Sequence, residues 1–447
     1  MTTTTLPPPA PTVTTRSRWL PRDERSLFLL GTALVALHVL DDTLLQPPAG
    51  TTAADHLVGA LVPTALLAAA AWGFGRVRAG WRAVLALSVG VFGIGMGMIE
   101  AGYYTTTVGP SGDDFTGLLA IPAGTLLVGL GLRRLWKSRH RTGRLWRRVV
   151  RRTMYVAVAA FAAYFVAQPV LFAYAVTHVQ RAVVPEDELG VEHEDVTFTT
   201  SDGLTLHGWY IPSRNGAAIV DFAGRLGTQA HARMLARHGY GVLLFDRRGE
   251  GRSEGRGNML GWGGEKDIIA AVDWLKHRPD VDPDRIGGLG LSVGGELMLE
   301  AAAKDPDLAA VVSDGAGARH VREDKEAIPG AEFWAMSPAF ALADVSVAVF
   351  SDTAPPESLF DLVPRIAPRP LLFIYAPDGG NPTEVLTPDY ARIAGPNASL
   401  WSVPDAPHIK AIETAPAEYE RRVIGFLDDA LLRTDKATPS SWIGAVT

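Results

Sequence analysis

The sequence predicts two joined units: an N-terminal all-α transmembrane bundle of about five helices, then an α/β domain with a mostly parallel eight-stranded sheet and helices on both faces. Three observations carry this reading. Five apolar stretches, each close to the roughly 20 residues that cross a bilayer's hydrocarbon core, follow one another before residue 180. Beyond it, short apolar runs alternate with helical patterns, the rhythm of parallel strands with crossover helices. The charge balance turns at the same place, with 17 Lys and Arg against 8 Asp and Glu in residues 1–180 and 25 against 40 in the remainder.

Residues 1–25 open with a Thr- and Pro-rich run and read as a disordered cytoplasmic tail. Residues 26–180 form the predicted bundle, with spans at 27–45, 57–74, 81–99, 115–132 and 154–177. Basic residues set their orientation. Arg16, Arg18, Arg22 and Arg25 precede the first span, Arg76, Arg78 and Arg82 surround the second junction, and ten Lys and Arg lie between Arg133 and Arg152. The alternate loops and their flanks hold Asp41, Asp42, Asp55, Glu100, Asp113 and Asp114 instead. A cytoplasmic N-terminus therefore fits all five crossings and places everything after about His178 outside the cytoplasm. Asp41 and Asp42 interrupt the outer end of the first span. Pro169, after Gln168, is expected to kink the fifth.

From about residue 181 to 432 the pattern is α/β, and 433–447 read as a flexible tail. Strands are expected at 196–200, 204–211, 217–222, 241–245, 286–290, 309–313, 370–375 and 399–403. The most informative segment is Gly290-Leu291-Ser292-Val293-Gly294, which follows a buried strand and opens a helix. In that context a Gly-x-Ser-x-Gly motif is a sharp turn that lifts the serine hydroxyl above the sheet. The following helix N-terminus contributes free amides, so the Val293 N–H suits an oxyanion.

Here the chain resembles the α/β-hydrolase superfamily over about residues 190–432, similar to its dienelactone-hydrolase and acyl-peptidase types. Phe245-Asp-Arg-Arg-Gly-Glu-Gly-Arg-Ser253 and the segment from Gly264 to Leu275 add to the likeness. Asp246 and Arg248 in the first of these read as structural. The resemblance implies an order of serine, acid, histidine. A serine hydroxyl needs a base to become a nucleophile, and His408, in Pro404-Asp-Ala-Pro-His408 after the last strand, falls where the family carries its histidine. The acid is expected in the loop after residue 375, where both Asp378 and Glu384 are available, with Asp314 a third candidate. In place of the family's usual His-Gly turn after the third strand the chain has Ala223-Gly224-Arg225. The backbone N–H of Arg225 is the matching second oxyanion donor.

Residues 315–367 occupy the interval where this fold commonly carries a lid, and Phe333, Trp334, Met336, Phe340 and Phe350 suggest an aromatic lining over Ser292. The expected chemistry is ester hydrolysis by a membrane-anchored serine hydrolase, with thioester or amide bonds as alternatives. Its expected partners are a small-molecule or lipid ester and the bilayer. A chain with Cys 0 excludes thiolate metal sites and cysteine nucleophiles. No other metal-ligand spacing, nucleotide loop or basic aromatic patch is present, so no metal, cofactor or nucleic acid is expected. Two other readings remain at this stage: a catalytically silent sensing module, and a transporter acting through His38, Asp41 and Glu100.

Overall fold

The structure, a computed structural model, describes residues 23–106, 112–137, 145–179, 189–222, 227–328 and 330–433. The predicted tails lie almost wholly outside these residues. Helix α1 (Glu24–Leu40) starts at Asp23, whose carboxylate accepts the Ser26 N–H at 2.6 Å and caps it. It runs on into a π turn at Asp41–Leu45. Then come α2 (Leu57–Phe74), α3 (Ala79–Thr106), α4 (Gly112–Lys137) and α5 (Leu145–Ala162), with α6 (Gln168–Thr177) continuing α5 through a second π turn at Ala163–Ala167.

That second π turn is what stands where a kink was expected. Pro169 has no N–H to donate and its ring crowds the carbonyl four residues back, so the helix widens by a residue just before it. Among the described residues five stretches are long and apolar enough to cross a membrane: Glu24–Leu45, Ala53–Phe74, Ala79–Gly102 and Phe115–Trp136 in the N-terminal unit, and Gly330–Ser351 beyond it. The described apolar part of the fifth N-terminal segment is Tyr164–Thr177. Helices α3 and α4 touch backbone to backbone: a Cβ on Gly97 would stand 2.4 Å from the Gly117 carbonyl oxygen. Such small-residue contacts are how helices pack where no hydrophobic effect drives them together.

The second unit is an eight-stranded sheet in the order β1-β2-β4-β3-β5-β6-β7-β8. Its strands are β1 (Glu194–Thr199), β2 (Thr205–Ile211), β3 (Ala218–Phe222), β4 (Gly241–Phe245), β5 (Ile286–Leu291), β6 (Ala310–Asp314), β7 (Leu371–Tyr375) and β8 (Ala398–Ser402). Only β2 runs against its neighbours. The connecting helices are α7 (Gln229–Arg237), α8 (Glu265–Lys276), α9 (Val293–Lys304), α10 (Val321–Ala327), α11 (Gly330–Ser351), α12 (Leu359–Leu362), α13 (Thr387–Ala394), α14 (Ala411–Thr414) and α15 (Pro416–Leu427). They cover both faces. Leu243, Ile268, Leu297 and Met298 build the core on one side of the sheet, and Val242, Leu289, Tyr419 and Val423 that on the other. Strand β5 is central and all six of its residues are buried, which makes its C-terminal end a rigid platform.

The interval 315–367 does not close on itself. Its main helix, α11, packs along α6 and against α2, and Phe350 at its end enters the bundle core beside Phe92 and Tyr174. Trp262, from the loop before α8, joins the same apolar cluster. The two units therefore share one core where they meet.

Candidate active site

Ser292 sits between β5 and α9 with φ 53° and ψ −124°, a left-handed conformation that costs a serine energy. The surroundings hold it there. Its N–H donates to the Asp314 carbonyl at 2.8 Å, tying the turn to β6. Strand and helix approach so closely that a Cβ on Gly290 would lie 2.3 Å from the Gly294 carbonyl oxygen, which is why the motif needs glycine there. The Val293 N–H lies in the first turn of α9, where amides have no intrahelical acceptor.

His408 arrives from the loop after β8. Its own N–H donates to the Gly379 carbonyl at 2.8 Å, and Ile409 beside it has a positive φ of 55°. The ring then spans two partners. Nε2 lies 2.8 Å from Ser292 Oγ, and Nδ1 meets Glu384 Oε1. Glu384 is fully buried in the short helical turn Pro382–Leu386, and its other oxygen accepts the Ala376 N–H at 2.8 Å. A carboxylate fixed at both oxygens favours the tautomer with hydrogen on Nδ1, leaving Nε2 to accept the serine proton. Gly315 passes beneath this pair with φ +76°, and a Cβ there would stand 3.0 Å from both Glu384 Oε1 and His408 Cε1.

The remaining candidates stand elsewhere. Asp378 is exposed in the same loop, and the bond to His408 is made by Glu384. Asp314 is buried, accepts the Tyr419 hydroxyl at 3.1 Å, and burial pushes its carboxyl up to about 7. Arg225, like Ala223, lies outside the described residues. Asp246 and Arg248 shape the neighbouring loop. Asp246 accepts the Arg252 N–H at 3.0 Å, while Arg248 reaches the buried Asp267 at 2.7 Å and Asp202 at 3.0 Å. Gly315, Ala376 and Gly379 escaped the sequence reading because their contributions are backbone positions and close approach, which leave no side-chain signature.

Behind the serine, the loop from Asn258 to Gly264 separates the site from the bundle. A Cβ on Gly261 would lie 2.7 Å from Val293 Cγ1, and the adjacent Trp262 is already in the bundle's apolar cluster. The Met259 N–H donates to the Val176 carbonyl of α6 at 2.8 Å. One loop thickness thus lies between Val293 and the helices.

Residues 186–344 match the sequence model of the X-Pro dipeptidyl-peptidases (S15 family). Over 263 residues the chain is 28% identical to the uncharacterized protein YfhR of Salmonella typhi, covering 54% of this chain and 83% of that one. Over 127 residues it is 38% identical to a polyketide transferase of a Penicillium species, covering 27% and 43%. An esterase structure from Pyrococcus furiosus superposes with a TM-score of 0.46 at 26% identity, over 57% of this chain and 98% of the esterase. The C-terminal unit has the α/β-hydrolase fold, joined to an apolar N-terminal bundle.

Proposed function

We propose that this α/β-hydrolase chain is a membrane-anchored serine hydrolase that cleaves an ester through Ser292, His408 and Glu384. One observation carries the reading: a serine on a strained elbow, a histidine nitrogen 2.8 Å from its hydroxyl, and a buried carboxylate on the other ring nitrogen. In the reaction His408 Nε2 takes the Ser292 proton as Oγ attacks the carbonyl carbon. The C=O pair moves to oxygen, where the Val293 N–H donates, with the Arg225 N–H as the proposed second donor. Collapse expels the alkoxide, which takes the proton from His408 and leaves an acyl-serine. Water then repeats the sequence, its proton going to His408 and its oxygen to the acyl carbon, and Ser292 is released. Glu384 orients the ring throughout. Thioesters and amides would react by the same steps.

Five apolar N-terminal segments support membrane anchoring, and the basic loops favour a hydrolase domain outside the cytoplasm. Labelling of intact cells with a membrane-impermeant fluorophosphonate tests both parts. Wild type is expected to label and Ser292→Ala to stay unlabelled. Labelling only after lysis would reverse the topology, and none in either preparation would sink the enzyme reading.

A further inference from the structure

Helix α11 belongs to the hydrolase domain by sequence, yet it has the length and apolar composition of the bundle's own helices. Its two feet are clipped together. Glu323 Oε1 on α10 accepts both the Ser358 hydroxyl at 2.7 Å and the Leu359 N–H at 2.6 Å, so the chain leaves the domain and returns at one point. Between these feet α11 lies along α6, with the Tyr164 hydroxyl donating to Met336 Sδ at 3.3 Å. Its C-terminal end is built into the bundle. The Asp352 carboxylate accepts the Val58 and Gly59 N–H groups at 3.0 Å each and so caps α2, while Arg256 Nη1 donates to the Phe350 carbonyl at 2.6 Å.

What faces outward is the informative part. Past Glu332, the exposed residues of α11 are Trp334, Ala335, Pro338, Ala341 and Val345, one stripe at helical spacing without a charge or a hydrogen-bonding group apart from the indole N–H. Trp334 is 68% exposed and Val345 60%. A helix whose free face met water would put polar residues there. This stripe instead continues the exposed apolar surface of α2, where Leu61 is 58% exposed, and of α6, where Phe172 is 44% exposed. An apolar belt of that extent calls for an apolar neighbour.

We infer that α11 lies in the hydrocarbon of the same bilayer as the bundle, and that the ester reaching Ser292 is one carried in that bilayer. The second half rests on the hydrolase reading; the first stands without it. The geometry joins them, because the loop that seats Trp262 in the shared core is the loop that touches Val293.

The cysteine-free sequence makes the test direct. Val345→Cys, Leu61→Cys as the lipid reference and Arg392→Cys as the water reference would each carry a bimane in phosphatidylcholine vesicles containing acyl-chain nitroxide lipids. Val345→Cys is expected to be quenched like Leu61→Cys; quenching no stronger than at Arg392→Cys would overturn the placement. In the same vesicles, Ala341→Arg should reduce hydrolysis of a long-chain, vesicle-borne p-nitrophenyl ester about tenfold while leaving p-nitrophenyl acetate within about twofold. Equal loss on both, or no loss on either, would overturn the bilayer-borne substrate. Fluorophosphonate labelling of Ser292 monitors folding of each variant. If wild type itself failed to label, the hydrolase reading would fall while the quenching result stood.

Discussion

The His408–Glu384 and His178–Asp42 pairs both set a histidine against a carboxylate, and their third members differ. In the hydrolase domain His408 joins the buried Glu384 to Ser292, which remains partly open to solvent. Where the bundle meets that domain, His178 Nε2 lies 3.2 Å from Asp42 Oδ2, but the same oxygen is closed by Arg256 Nη2 at 3.3 Å. One pair ends on the proposed nucleophile, held in a strained turn; the other ends on a permanent cation that neutralises it. The same residue types therefore stand as a proposed relay in one place and a fastening in the other. What distinguishes them is whether the last group can give up a proton.

The largest effects should come from breaking the reactive pair. Ser292→Ala is expected to reduce ester hydrolysis by on the order of 10⁴-fold or more, and Glu384→Gln by about 10³- to 10⁴-fold, both in folded protein. Circular dichroism beside steady-state rates would check this; a Glu384→Gln enzyme with near wild-type kcat would remove Glu384 from the mechanism. Breaking the fastening should reverse the pattern. Asp42→Asn leaves Arg256 without its carboxylate and should cost about 3 kcal/mol of stability, while hydrolysis of a small soluble ester changes little. Denaturant titration in detergent against kcat separates the two outcomes.

Gly315→Val probes the relay from beneath. A side chain there meets both Glu384 and His408 and must adopt φ +76°, so kcat should fall about 100-fold with a stability loss of about 1–3 kcal/mol. Asp352→Ala tests the join between α11 and α2 and should cost about 1 kcal/mol by uncapping two N–H groups, measurable as a lower melting temperature.

The smallest effect concerns Asp314, buried beside the relay but outside it. Its folded carboxyl titrates near 7 against an ordinary value of 3.8, so the folded state holds the proton more tightly than the unfolded one. Its contribution is fully present below the ordinary value and is lost as pH rises towards about 7. Asp314→Asn, which can still accept the Tyr419 hydroxyl, should therefore raise the melting temperature more at pH 8 than at pH 5. Equal shifts at both pH values would show that Asp314 does not titrate in this range.

Much of the architecture is legible from local pattern. Runs of apolar residues mark the bundle because length alone decides whether a helix can cross hydrocarbon, and alternating strands and helices mark the sheet. Gly290 to Gly294 announces its turn because the close approach of strand and helix excludes any side chain at Gly290. Helix α11 was less legible: Gly330–Ser351 is as apolar as the bundle helices, but its place between two hydrolase strands suggested a lid instead.

Sequence by itself determined the two units, the eight strands and the short list of groups able to do chemistry, since all of these depend on neighbours in the chain. Only the tertiary structure decided which carboxylate meets His408, because Asp378 and Glu384 lie six positions apart on one loop and differ only in which way that loop folds. It alone decided that α11 joins the bundle and that Arg256 closes Asp42, through contacts between residues 172 to 294 positions apart. Such pairings are set by the packing of whole surfaces, and no local pattern encodes them.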